Sequence, residues 1–148
     1  MRRKGPWSEQ EIERFLQQTR VPLRFACNGA SGRPVMASLW FLPRDDILWC
    51  ATQRSASVVS HLRRDSRCAF EVAPETIPYR GIRGQGHAEL HDERGEEILR
   101  LLVDRYLEDP DSRLARWLLS RAERETAIAI EPRTLLSWDF RERMGGAG

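Results

Sequence analysis

The order strand, turn, strand, short helix, strand between Gly32 and Phe70 is what most constrains this chain. The segment reads GRPVMASLWF, an Asp45-Asp46 turn, ILWCAT, a serine-rich link and VVSHLRRDSRCAF. Arg33-Pro34 opens a run whose alternate positions Val35, Ala37, Leu39 and Phe41 are apolar, so one face of a strand is buried. Asp45-Asp46 separates it from Ile47 to Thr52, a β-branched and aromatic segment that reads as the second arm of a hairpin. Arg54, Ser55, Ala56 and Ser57 then supply a positive charge and hydroxyls just before Val58, Val59 and Leu62, the apolar stripe of a short helix. The first turn of a helix carries unpaired amides and a partial positive charge, so this corner can hold a phosphate.

At 148 residues the chain can bury a core as one domain without disulfides or metals. Its 24 basic and 22 acidic side chains are interleaved and leave a formal net charge of +2, which gives no signal for nucleic acid. Arginine carries most of the positive charge and suits planar anions such as phosphates and carboxylates. Cys27, Cys50 and Cys68 are odd in number and sit in separate apolar segments, the pattern of buried free thiols. The basic start Met1-Arg2-Arg3-Lys4 runs into Gly5-Pro6-Trp7-Ser8 instead of an apolar signal core, and no segment approaches membrane-spanning length. The expected location is cytoplasmic, with neither membrane nor nucleic acid as a partner.

Ser8-Glu9-Gln10-Glu11 has capping-box spacing, and Ile12, Phe15 and Leu16 share a face, which predicts a helix from Ser8 to about Gln18 within a segment 1–20. Val21 to Cys27 is a first strand, ended by the turn residues Asn28-Gly29 and Ser31-Gly32, so two hairpin links in series predict a meander. Arg67 to Val72 is a fourth strand, Pro74 and Pro78 bracket a loop, and Tyr79 to Leu90 is the fifth and longest strand. Within it, Gly81, Gly84 and Gly86 either mark bulges in a strongly curved barrel strand or allow a ligand close to the backbone. Asp92 reads as the cap of a helix bearing Ile98, Leu101, Leu102 and Tyr106 and ending near Asp109-Pro110. Asp109 as cap and Pro110 at the first position then start a second helix, with Leu114, Trp117 and Leu118 on one face, running to about Arg124. Thr126 to Ile130 and Leu135 to Phe140 are the last extended segments, and 141–148 is a flexible tail. The sum is α+β, a single domain over 1–148 in which six or seven mostly antiparallel strands form a small closed or split barrel flanked by helices.

Thr52, Arg54, Ser55 and Ser57 either make a phosphate nest or leave Ser55 or Ser57 as a simple helix cap with Arg54 in solvent. Arg80 either clamps an anion or ring carbonyl, or covers a barrel edge with charge. Trp40 and Trp138 either stack beside a planar ring or fill core or interface, and Trp49 and Trp117 read as packing residues. His87, Glu89 and His91 recur at period two, but a solvated strand face explains them with fewer assumptions than a metal site. Arg63, Arg64 and Arg67, with His61, cluster where the short helix ends and cations complement its dipole. No nucleophile and base stand out together, so any catalysis belongs to a cofactor, with the protein supplying orientation and a dry groove.

In register, GRPVMASLWF, LWCAT, VVSHLRRDSR, YRGIRGQGHAEL and IEPRTLLSWDF resemble the pyridoxamine 5'-phosphate oxidase-like FMN-binding split-barrel family, from about Val21 to Phe140. The resemblance implies a six- to seven-stranded antiparallel split β-barrel flanked by helices. It also implies a homodimer with FMN, or an 8-hydroxy-5-deazaflavin coenzyme, in a groove between subunits. By the same resemblance Ser38 and Trp40 lie on the strand lining the ring, and Thr52, Arg54, Ser55 and Ser57 meet the phosphate. Arg80 and Gly81 would approach the cofactor from the partner chain, and Trp138 would stand near it. Two departures matter. Ala56-Ser57-Val58 stands where many members carry a Ser-Arg-Lys-like cluster, so the lysine is missing. Ala37 and Leu42 stand where the oxidases carry an arginine and a lysine, so oxidation of pyridoxamine phosphate itself is not expected.

The expected activity is that of a flavin-dependent oxidoreductase passing hydride between FMN and a small planar substrate, with a nicotinamide dinucleotide as one candidate donor. One alternative is a deazaflavin-dependent reductase, with Arg63, Arg64 and Arg83 along the coenzyme's anionic tail. The other, of a different class, is a split-barrel dimer that binds a ligand without catalysis.

Overall fold

A computed structural model describes residues 1–144 of the 148. The strands are β1 (Arg2–Lys4), β2 (Leu23–Asn28), β3 (Pro34–Leu39), β4 (Leu42–Arg44), β5 (Ile47–Gln53), β6 (Arg67–Val72), β7 (Arg80–His91) and β8 (Glu125–Asp139). The helices are α1 (Glu9–Gln18), α2 (Ser57–Arg64), α3 (Gly95–Tyr106), α4 (Arg113–Ser120) and α5 (Arg141–Met144). Seven strands pair antiparallel in the order β3-β2-β6-β7-β8-β5-β4 and curl into a split barrel, the α+β architecture expected. β1 was not foreseen: it adds in parallel to β8, with Arg3 opposite Leu135.

Helix α1 begins as its capping box predicts. The Ser8 hydroxyl accepts from the Glu11 amide, and the Glu11 carboxylate accepts from the Ser8 amide. Ile12, Phe15 and Leu16 face inward, and Trp7 before them is fixed by its amide donating to Ser137 Oγ (3.1 Å) and its indole donating to Asp139 (3.0 Å).

The run from Arg33 to Phe41 is not one strand. It breaks at Trp40-Phe41 because the Phe41 amide donates to the Tyr106 hydroxyl (3.1 Å) instead of a neighbouring strand, and that hydroxyl donates to the Val21 carbonyl. Leu42–Arg44, beyond the break, is the true first arm of the Asp45-Asp46 hairpin, whose turn residues both have positive φ (55° and 61°), as a two-residue primed turn demands. The predicted meander is therefore corrected: β3 and β4 stand at opposite ends of the strand order.

Thr126–Ile130 and Leu135–Phe140 prove to be parts of one strand, β8. Pro132 is tolerated within it because the pairing with β7 shifts at Gln85/Gly86, where a side chain on Gly86 would run into the Glu131 carbonyl. The first half of β8 lacks the usual inside-outside contrast because both faces are covered. Ile128 and Ile130 join Phe25, Phe41, Val59 and Ile82 inside the barrel, while Ala127 and Ala129 let α3 approach closely through Ile98 and Leu102. A third layer sets Leu99 and Val103 of α3 against Ala115 and Ala122.

Two helix caps differ from the expectation. Asp92 opens a 3-10 turn over Asp92–Arg94, and α3 starts only at Gly95, ending at Tyr106. Ser112 caps α4 through the Ala115 amide, because Asp109 is spent on the Asp111 amide in a local turn. The tail assignment splits: Arg141–Met144 is a helical turn held by Asp139, which accepts from the Arg141 amide and guanidinium, whereas 145–148 lies outside the described residues. Cys27, Cys50 and Cys68 are buried free thiols, and burial pushes the Cys68 thiol up to about 12.

The β7 glycines are packing positions. A Cβ on Gly84 would stand 2.7 Å from Phe70 Cζ and also meet the Thr134 carbonyl, so the barrel closes tightly only without one. Gly84→Ala is expected to cost about 1–3 kcal/mol, read as a lower urea midpoint; an unchanged midpoint would contradict this packing.

Candidate functional site

At one end of the barrel, β5 runs into α2 without a side-chain cap. The cap residue is Ala56, and among the described residues the exposed hydroxyls of Ser55 and Ser57 form no capping bond. The simple-cap alternative is thereby removed. The turn is held by backbone bonds, Ala56 amide to Gln53 carbonyl and Val59 amide to Ala56 carbonyl (both 3.0 Å). Val58, Val59 and Leu62 anchor the helix to the core, so its start is fixed while its polar groups face outward.

Arg54 lies beside this start. Its amide donates to the Arg124 carbonyl (2.8 Å) and its guanidinium donates to the Glu123 carbonyl, which fastens β5 to the 3-10 turn Ala122–Arg124. Behind it, Thr52 is opposite Thr126 in the β5–β8 ladder, and the Thr126 hydroxyl is fully buried with no hydrogen-bond partner. Hydroxyls, the Ser57 and Val58 amides and an arginine form a donor-rich corner, a set that fits a phosphate monoester, with the Glu125 carboxylate in the cavity that Thr52 also lines.

Ser38, Trp40 and Thr52 line one cavity of about 350 Å³ next to this corner. Ser38 accepts from Arg24 Nη1 (2.6 Å), and Trp40 stacks on Tyr106 with centroids 4.8 Å apart and planes 5° apart. The cavity's other walls contain residues that sequence reasoning missed. Glu125 is 6% exposed, and Trp117, expected to be a packing residue, is 53% exposed because α4 buries only Ala115. The signal for Glu125 was a lone acid heading the run ETAIAI.

Burial pushes the Glu125 carboxyl above its ordinary value, opposed by the Gln53 amide, which donates to it, and by the charge of Arg121. Gln53 also donates to the Arg121 carbonyl (3.1 Å), so its amide group is committed to holding the acid in place.

Arg80, Gly81 and Trp138 are elsewhere. Arg80 lies over Phe15 at 5.9 Å, and the space above Gly81 is filled by Trp138, whose Cη2 would be 2.8 Å from an added Cβ. Trp138 is covered in turn by Arg83 at 4.4 Å. Thr126 and Trp138 are twelve positions apart on β8, roughly 40 Å of extended chain at ~3.3 Å per residue. Among the described residues Ser38, Trp40 and Thr52 thus line one cavity, while Trp138 lines another.

The remaining candidates have local partners. His87 bonds to Ser66 (2.9 Å), His91 lies between Glu89 (3.6 Å) and Glu93 (3.2 Å), and Arg64 contacts His61 (2.9 Å). Among the described residues no group of three His, Cys, Asp or Glu side chains could hold a metal, and no helix is long and apolar enough to cross a membrane.

A curled antiparallel sheet with an uncapped helix start at one corner defines the fold as a split barrel. Residues 8–141 match the pyridoxamine 5'-phosphate oxidase family, and the chain belongs to that family. Among solved structures it is similar to the conserved hypothetical protein Rv2991 of Mycobacterium tuberculosis, with a TM-score of 0.76 and 26% identity over 93% of this chain and 88% of that one. It also shares its fold with an F420 reductase (TM-score 0.66, 18% identity, 81% of this chain and 92% of that one). A third likeness is to an FAD-binding protein of Mesorhizobium loti (TM-score 0.62, 18% identity, 88% of this chain and 93% of that one). No curated protein matches the sequence.

The Glu125 environment has a pH signature. A carboxyl whose folded value is raised contributes stability below the unfolded value, near 4.3, and loses it as pH rises through the folded value. Glu125→Gln is therefore expected to gain stability relative to the parent as pH rises from 4 to 8 in paired denaturation curves; a gap that stays constant or shrinks would contradict the burial argument.

Proposed function

We propose that the protein is a flavin-dependent oxidoreductase acting on a small planar substrate, with FMN held at a seam between two copies of the chain. The observation that carries this reading is the uncapped start of α2, with Ser55, Ser57 and Arg54 beside it, in a chain of the pyridoxamine 5'-phosphate oxidase family. Thr52, Ser55, Ser57 and the α2 amides would take the phosphate, while Arg54 lends charge in place of the lysine absent at Val58. Ser38 and Trp40 would border the ring from the same chain. Arg80 and Gly81 at the start of β7, and Trp138 at the end of β8 that pairs with it, are too far away to join them and would come from the partner. Bound FMN supplies hydride transfer; the protein's share is to orient the ring, hold the phosphate and keep water out. Pyridoxamine phosphate itself is not the proposed substrate, because Ala37 and Leu42 offer no charge.

The outer sheet face supports a homodimer. It leaves Met36 73% and Leu136 39% exposed around a depression of about 590 Å³, with Arg24 and Arg83 beside Glu71. Apolar area flanked by both signs of charge suits a self-complementary twofold contact. The cations on this face, Arg2, Lys4, Arg24 and Arg83, also favour the 8-hydroxy-5-deazaflavin coenzyme as a second reading, since its tail is anionic and the fold is shared with an F420 reductase.

Ser57→Asp separates helix from ligand: an acid at the first helical position favours the helix yet repels a phosphate. The variant is expected to bind FMN at least about tenfold more weakly while riboflavin, which lacks the phosphate, binds unchanged. Equal FMN affinity would remove the α2 corner from the site. If the parent chain binds the deazaflavin coenzyme but not FMN, the second reading stands; if it binds neither, it is a non-catalytic split barrel.

A further inference from the structure

The cavity lined by Ser38, Trp40 and Thr52 also contains groups that the cofactor reading leaves unused, Glu125 and Trp117. Strand β8 opens with Glu125, 6% exposed, at the head of a run in which every residue to Ile130 is buried. Around this carboxylate the lining is mostly apolar or aromatic, with Trp40 from the β3–β4 corner, Leu102 from α3, and Leu114, Trp117 and Leu118 from α4; Ser38, Thr52, Gln53 and Arg121 are its other polar members. Helix α4 leaves Leu114 47% and Trp117 53% exposed although it is strongly amphipathic, so the apolar stripe that should be covered borders open space.

The carboxylate is oriented but not neutralised. Gln53 donates to one of its oxygens, and among the described residues no arginine, lysine or histidine forms an ion pair with it. Arg121, the cation acting on it through space, has its guanidinium 4.7 Å above the Trp117 ring. A buried acid without a cationic partner is costly, and a ligand that brings the partner recovers that cost. About 350 Å³ is enough for a single planar ring system, and two tryptophans are in the cavity's lining, Trp40 with one face on Tyr106 and Trp117 with one face under Arg121.

We infer that this cavity binds a planar aromatic cation of the amidinium or aminopyridinium type, its charged N–H edge on Glu125 and its ring against Trp40 and Trp117. Aromatic carboxylates are excluded by like charge. The assignment of this ligand as the substrate class rests on the flavin reading above, because Ser38, Trp40 and Thr52 line the same cavity; its binding does not.

Benzamidine is the probe, titrated into the full-length protein without added flavin and followed through the indole N–H signals of Trp40 and Trp117. Millimolar benzamidine is expected to shift both signals, benzoate neither, and Glu125→Gln to weaken benzamidine at least about tenfold. Melting curves establish that the variant is folded. Benzamidine binding equally well to Glu125→Gln, benzoate matching benzamidine, or shifts confined to the other tryptophans would each overturn the inference. FMN titrated separately keeps the two readings apart: benzamidine without FMN binding defeats the flavin reading alone, and FMN without benzamidine binding defeats this one alone.

Discussion

Strand β8 is the constraint from which the other positions follow. It extends over fifteen residues, pairs with β1, β5 and β7, and is buried on both faces through its first half. Its alternation of Ile and Ala makes this possible, with the larger side chain filling the barrel and the smaller admitting α3. Burial of this kind is non-directional and scales with area, so it fixes the layers. The directional bonds at the ends of the strand, Gln53 to Glu125 and Trp7 to Asp139, then fix which elements stand at which end.

That length has a functional consequence. An enzyme built on one chain could gather its site residues through loops, but a strand this long keeps Thr52 and Trp138 at opposite ends of the sheet. The outer sheet face carries exposed Met36 and Leu136 around one depression. A second copy on that face is the simplest way to bring the two groups together, which is why the proposed dimer and the proposed cofactor site are one hypothesis. Self-association would bury apolar area and convert a partial corner into a closed groove, where hydrogen bonds to an anion strengthen as water leaves.

Much of the fold was legible because it is local. The spacing of Ser8 and Glu11 set the start of α1, and the alternation from Arg67 to Val72 gave β6 its full extent. The break at Trp40-Phe41 was not legible, since it depends on the Tyr106 hydroxyl 65 residues away. Nor was the cap of α4, where Asp109 and Ser112 compete and the outcome turns on which amide each can reach. Of the site, the serine-rich corner could be read from helix-start chemistry alone. Glu125 and Trp117 could not, because a lone acid before an apolar run and a tryptophan on an amphipathic helix acquire meaning only when α4, packed on α3, is brought to the cavity that β5 also lines. Nor was the packing of Gly81 legible, where a side chain would meet Trp138 across the ladder.

The central claim is that each cofactor site takes its phosphate corner from one chain and its tryptophan end from another. Co-purified mixed dimers test it most directly, with Ser57→Asp on one differently tagged chain and Trp138→Ala on the other. Neither variant alone should bind FMN tightly, while the mixed dimer should recover one tight site of the two, because one of its seams is assembled from two unaltered halves. No tight binding by the mixed dimer, or full binding by either variant alone, would contradict the account.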